Sequence, residues 1–166
     1  MPILSALLCL FLLVAGGAIL ALTANQLPAQ VASHFGAGGV ANGFMARSDY
    51  LLFMLAMTLG VPLSIALFTV LVPWLVPADK LRMPHREYWL APERRQATMA
   101  ALATSGLGMA SIVAAFLIAV HLLVIAANRQ TPPHLDSATL WTLVGALVVA
   151  SVFWQFLRWR RFKVPR

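Results

Sequence analysis

Charge is the scarcest property of this sequence. Of 166 residues only 10% are Asp, Glu, Lys or Arg, and only five are acidic. A soluble domain carries about 25% charged residues. The chain is 61% hydrophobic, with a mean hydropathy of +0.84. A soluble fold of this length has no interior large enough for so much apolar surface, whereas a bilayer accepts it, because lipid-facing side chains need no burial against protein. The length allows one domain. Cysteine is nearly absent too. The single Cys9 excludes an intrachain disulfide. It is no lipoprotein acceptor either, since it lies close to Met1 and follows Leu7 and Leu8 where small residues are wanted. It reads as a small apolar residue of a helix.

Catalytic signatures are also missing. There is no G-x-S-x-G, no H-E-x-x-H and no P-loop, for no lysine follows Gly36–Gly39. His34, His121 and His134 show no H-x-x-x-H spacing, with only Asp49 and Asp136 near them in sequence, so no metal site is expected. Ser64, Thr69, Thr104, Ser105 and Ser111, hydroxyls within the apolar runs, are separated from His121 by several turns. No enzyme and no cofactor are expected.

Long apolar runs are what the chain does have: Ile3 to Ala24, Tyr50 to Val76, Ala97 to Ala127 and Ser137 to Leu157. About 20 apolar residues span a bilayer as a helix. The expected fold class is therefore all-α, a polytopic membrane protein with a four-helix transmembrane bundle. The first run lacks a basic n-region and an A-x-A site, and is read as a retained anchor rather than a signal peptide. Gly60-Val61-Pro62 predicts a kink within the second run, because proline removes a backbone donor and crowds the preceding turn. Pro73 and Pro77 mark its exit. Pro92 suits a helix first turn and Glu93 complements the positive end of its dipole, so the polar start of the third run projects beyond the membrane. Gly106, Ala110 and Ala114, spaced by four, form a smooth face, read as packing within the bundle in preference to self-association.

The net charge of +7 has a position. Lys80, Arg82, Arg86, Arg94 and Arg95 separate runs two and three, and Arg158, Arg160, Arg161, Lys163 and Arg166 follow run four. The other two connections hold only Arg47 and Arg129. This ten-to-two division predicts that the central loop (77–96), the tail (158–166) and both termini are cytoplasmic in the plasma membrane. The basic segments then face anionic lipid. No basic stripe interleaves with aromatics on a soluble face, which argues against nucleic acid. Trp141 and Trp159 flank run four as interfacial residues.

Two connections exceed what a bundle requires. Residues 25–49 form the first, where a median connection has about 4–6 residues. Its apolar Val31, Phe35, Val40, Phe44 and Met45 predict a folded cap resting on the helix ends, with an extended piece at Gln30 to Phe35. Gly36, Gly38, Gly39 and Asn42-Gly43 are read as turn formers. The second, Leu81 to Arg95, interleaves cations with Tyr88, Trp89 and Leu90. It reads as an interfacial elbow, with a docking surface for a cytoplasmic partner as the alternative.

The first segment, Leu27-Pro28-x-x-Val31-x-x-His34-Phe35-Gly36-x-x-Gly39-x-x-Asn42-Gly43-Phe44, resembles the motif of a bacterial membrane domain of unknown function. That domain also forms the amino-terminal part of SdpI-type immunity proteins. The usual motif has proline where this sequence has Ala32. The stretch from Pro84 to Arg95 is similar to a second segment of short members. The resemblance implies a multi-pass membrane protein. In its longer relatives it implies protection from a secreted toxic peptide, signalled by holding a repressor at the membrane. It brings no catalytic residue with it. Pro28, His34, Phe35, Gly39, Asn42 and Gly43 are thus candidate contacts for a secreted peptide or membrane-protein partner. Arg86, Tyr88, Trp89, Arg94 and Arg95 are candidates for the cytoplasmic interface. His34 is expected to bond within the loop. His121, the one ionisable group well inside an apolar run, is either functional or a neutral imidazole bonded to a carbonyl. Sensing at the outer cap is the first expectation; a transporter or channel subunit acting as an oligomer is the second.

Overall fold

The computed structural model describes residues 2–81 and 83–163. Arg82 and Arg166, both counted in the charge pattern, lie outside the described residues. Helix α1 covers Pro2–Thr23 and ends in a 3-10 turn at Ala24–Gln26. A hairpin follows, with strands β1 (Gln30–Phe35) and β2 (Ala41–Ala46). Helix α2 runs over Arg47–Leu75, α3 is the four-residue Arg86–Trp89, α4 covers Pro92–Asn128 and α5 covers Ser137–Arg161. Helices α1, α2, α4 and α5 are each long and apolar enough to cross a bilayer. The chain is an all-α polytopic membrane protein with one small antiparallel sheet.

The four long helices alternate in direction. The hairpin and the α4–α5 connection share one end of the bundle, here the sheet end. The α2–α4 connection and the end of α5 share the other, the basic end. Helix α4 is the central element, and α1, α2 and α5 all pack against it. The small-residue face is where this happens. Ala110 and Ala114 are fully buried, and a Cβ on Gly106 would overlap the Thr69 side chain of α2. These residues serve close helix approach inside the bundle. Helix α5 is peripheral, with no fully buried residue. It is pinned by Trp154, whose ring covers Gly108 and whose indole N–H donates to the Ser105 carbonyl at 2.7 Å.

The proline effect appears one turn early. Ala56–Gly60 winds as a π turn directly before Pro62. Without a proline N–H, the preceding ladder loses a bond and absorbs an extra residue. Helix ends also depart from the apolar runs. Helix α2 begins at Arg47 and α5 continues to Arg161, because a helix can carry polar residues past the hydrocarbon.

The long connection at the sheet end folds, and its extended piece matches β1. The turn formers divide differently. Gly36 to Gly39 make the turn, with Gly39 N–H donating to the Gly36 carbonyl at 2.9 Å and Gly36 N–H to the Val40 carbonyl at 2.8 Å. Asn42 and Gly43 lie within β2 instead. They sit at a bulge, where the register shifts on either side of the His34–Gly43 pair. A Cβ on Gly43 would lie 3.0 Å from the His34 Cβ, a tight contact that glycine avoids at this bulge. Not all the apolar residues of the cap rest on the helices. Val31 and Met45 pack into the core with Leu20, Leu27, Tyr50 and Ile125. Val40 and Phe44 point outward, 59% and 56% exposed. The two-residue alternation of a strand puts residues 40, 42 and 44 on the face opposite Met45.

Candidate functional site

Beneath the hairpin, three helices converge on His121, which is 1% exposed. Its Nδ1 lies 3.0 Å from the Tyr50 hydroxyl of α2, and its Nε2 lies 2.9 Å from the Thr23 hydroxyl of α1. The rings of Tyr50 and His121 stack at 5.8 Å, 23° from parallel. The direction of these bonds follows from the third member. Thr23 donates its only hydroxyl proton to the Ile19 carbonyl at 2.6 Å, so it accepts from His121 Nε2–H. Nδ1 is then left to accept from the Tyr50 O–H. A neutral imidazole satisfies every group, and protons point one way from Tyr50 through His121 and Thr23 to Ile19. The expected carbonyl partner of His121 is replaced by two hydroxyls, because helix carbonyls are already taken by their own ladders.

Two helical turns nearer the sheet end, Asn128 ties α4 to the hairpin. Its Oδ1 accepts from the Ala32 N–H at 2.8 Å, and its Nδ2 donates to the Ala32 carbonyl at 3.0 Å. The side-chain amide thus occupies the place of a neighbouring strand along β1. Nδ2 also donates to the Val124 carbonyl at 2.9 Å, which holds the amide in place. A proline at position 32 has no N–H for this bond, which gives Ala32 a structural purpose here. Replacing Asn128 by alanine leaves two groups of the fully buried Ala32 unpaired, each costing about 1–3 kcal/mol. The expected result is faster proteolysis and hydrogen exchange over 30–35, with helix content unchanged by circular dichroism.

A second tie joins the turn to the α4–α5 connection. Leu135 N–H donates to the Gly39 carbonyl at 2.8 Å, and Val40 bridges to His134. Gly39 has φ +80°, and a Cβ there would overlap the Leu135 carbonyl oxygen. At the start of α5, Asp136 caps the helix through Ala138 N–H and takes the Thr139 hydroxyl. The Thr139 bond, with lesser help from the backbone amides and His134, holds this carboxyl below the usual carboxylate range.

The residues singled out in the hairpin thus have different surroundings. Gly39 and Gly43 shape the backbone. Pro28 is exposed and its carbonyl accepts from Arg47 Nε at 3.3 Å. His34 is exposed, with Nδ1 3.3 Å from the neighbouring Ser33 hydroxyl. Phe35 is half-buried, and Asn42 is exposed beside Phe44. These residues share one hairpin without converging on a pocket. Thr23, Tyr50 and Asn128, which complete the buried network, carry no sequence motif. Their only signal is a polar residue at the edge of an apolar run.

At the basic end the elbow is built from aromatics. His85, at φ 49°, leads into α3. Trp89 donates its indole N–H to the Phe162 carbonyl at 3.0 Å and meets the Phe162 ring edge-on at 5.5 Å. Tyr88 lies edge-on to Trp89, and the Arg94 guanidinium covers the Tyr88 ring at 4.1 Å while pairing with Glu93 at 3.2 Å. Arg86 donates to the Asp79 carbonyl. Arg95 is half-buried, and its Nε finds no partner among the described residues. Tyr88, Trp89 and Arg94 therefore hold α3 to α4 and the end of α5, and Arg86 stays at the surface.

Four apolar helices crossing together define the class, an integral membrane protein. A family model described as a domain of unknown function (DUF1648) matches residues 10–59. The match takes in Thr23, the hairpin, Tyr50 and most of the π turn, and stops short of His121 and Asn128. No curated protein and no solved structure matches the chain.

Proposed function

We propose that this is a non-enzymatic membrane protein of the bacterial cell envelope that senses a secreted peptide through the hairpin. The single observation carrying this reading is the wiring of the hairpin. One edge is held by Asn128 and the turn by Leu135, and the core beneath it contains the Thr23–His121–Tyr50 chain. A load on the hairpin therefore acts directly on α1, α2 and α4. Among the described residues no strand pairs with the far edge of β2, which meets the α4–α5 connection only at the Val40–His134 bridge before it. Ala32 turns its N–H and C=O to Asn128, so the antiparallel pattern turns those of its partner Phe44 away from β1. Such an edge accepts an extended peptide by strand addition.

The ten-to-two charge division supports a plasma-membrane protein with the hairpin outside and both termini in the cytoplasm. The resemblance to SdpI-type immunity proteins supports peptide engagement outside and signalling inside, with the elbow at Tyr88 and Trp89 as the surface facing a cytoplasmic partner. The test is a deletion strain challenged with secreted peptides and envelope stresses, with the transcriptome as readout. Wild type restores the response, while F44D and H34A/N42A, expressed to the same level, reduce it at least tenfold. Full complementation by both variants refutes the hairpin as the working site.

A further inference from the structure

The geometry points to a binding site for one anionic phospholipid at the basic end, between α2, α4 and α5. Two grooves meet there. One, of about 170 Å³, lies between the helices and is bounded by Ile65, Gly106, Met109 and Trp154. The other, of about 350 Å³, opens towards the elbow past Met83, Pro84, Trp159 and Phe162. Leu102, Gln155 and Arg158 line both, so the two form one channel with a shared polar rim. Their joint volume falls within the range of about 300–1,000 Å³ typical of ligand sites.

The wall suits an acyl chain. Its hydroxyl and indole groups are spent internally: Thr69 donates to the Ile65 carbonyl at 2.7 Å, and Trp154 to the Ser105 carbonyl. Ile65, Met109, Leu102 and the Trp154 ring then make most of the wall apolar, with Ser105 among its polar exceptions. The groove exists because α5 touches α4 through Trp154 and stands off from α2 beside it.

The rim suits a phosphate. Among the described residues Arg158 is the one charged residue on either lining, and none of them is an acid. Three neighbouring cations are engaged by the protein. Arg94 covers Tyr88 and pairs with Glu93, Arg160 lies over Phe156 at 5.9 Å, and Lys163 sits over Trp159 at 3.8 Å. Arg158 makes no such contact among the described residues. With Gln155 one turn less one residue behind it, Arg158 offers a charge and hydrogen-bond donors at the mouth of an apolar channel. A free phosphate would use only the rim. A diacyl lipid with an anionic headgroup uses both parts, so the occupant is a lipid.

Native mass spectrometry of the purified protein tests this, with phosphatidylglycerol, phosphatidylcholine and soluble glycerophosphoglycerol added separately. One phosphatidylglycerol is retained in preference to phosphatidylcholine, and glycerophosphoglycerol is not retained. R158Q lowers that preference about fivefold, the effect of one cation near an anionic headgroup. R160Q, which removes the same charge two residues away and outside the groove, leaves it within twofold. L102F fills the junction of the grooves and reduces retention of both lipids. Equal loss in R158Q and R160Q would show diffuse attraction and overturn the site. Undiminished retention in L102F, or retention of glycerophosphoglycerol, overturns the acyl channel.

Discussion

Gly39→Ala is expected to detach the hairpin turn from the bundle and to be the most damaging single-methyl change in the sheet end. Two independent effects add. The φ of +80° costs an L-residue about 1–2 kcal/mol. The new methyl also runs into the Leu135 carbonyl oxygen, a backbone atom that cannot rotate away as a side chain can. Relief requires the α4–α5 connection to move, which breaks the Leu135–Gly39 bond and the Val40–His134 bridge. The total comes to about 3 kcal/mol. Thermal unfolding in detergent should show it as a clear fall in midpoint. Proteolysis confined to 36–41 and 131–136 should locate it. Gly38→Ala, where the added methyl meets open space, is the matched control and should behave as wild type. Equal stability of the two variants would mean that the turn is not fixed to the connection.

His121→Leu is the second large effect. Leucine fills much of the volume but gives Tyr50 no acceptor. Tyr50 is 2% exposed, so its hydroxyl becomes a buried unsatisfied group costing about 1–3 kcal/mol. Thr23 suffers less, since its proton already goes to the Ile19 carbonyl. Tyr50→Phe should cost less than His121→Leu, because an imidazole nitrogen without its donor is a weaker loss than a broken three-helix junction. The double variant His121→Leu/Tyr50→Phe should be more stable than the sum of the singles predicts. The coupling should be about 0.6 kcal/mol and at most about 1.7 kcal/mol, the range for side-chain hydrogen bonds within membranes. Additive singles would show that the two groups do not share a bond. If the hairpin signals through this junction, the double variant should also lose the transcriptional response while remaining folded.

Both predictions rest on contacts that no local pattern announces. Four crossings were legible because hydropathy is a sum over about 20 residues, and it tolerates any arrangement of the helices. The small face of Gly106, Ala110 and Ala114 was legible as a packing face because four-residue spacing stacks residues on one side of a helix. The extended piece at Gln30 to Phe35 was expected within a folded cap rich in apolar residues and bounded by turn-forming glycines. Asn42-Gly43 misled because the same pair that favours tight turns also fits a bulge, where Gly43 admits His34. Pairing register decides between those two uses, and register is not local.

By itself the amino-acid order determined the membrane class, the number of crossings, the concentration of positive charge at one end and the existence of a folded connection at the other. Each follows from one-dimensional quantities: run length, charge position and turn chemistry. Only the tertiary structure decided that Thr23, Tyr50 and His121 form one directed chain, that Asn128 serves as a strand partner for Ala32, and that Arg158 stands at the mouth of a groove. Those residues lie up to 98 positions apart, as Thr23 and His121 do. What unites them is the approach of helices whose apolar faces are nearly interchangeable in sequence, so their meeting is fixed by packing around α4 and not by any motif.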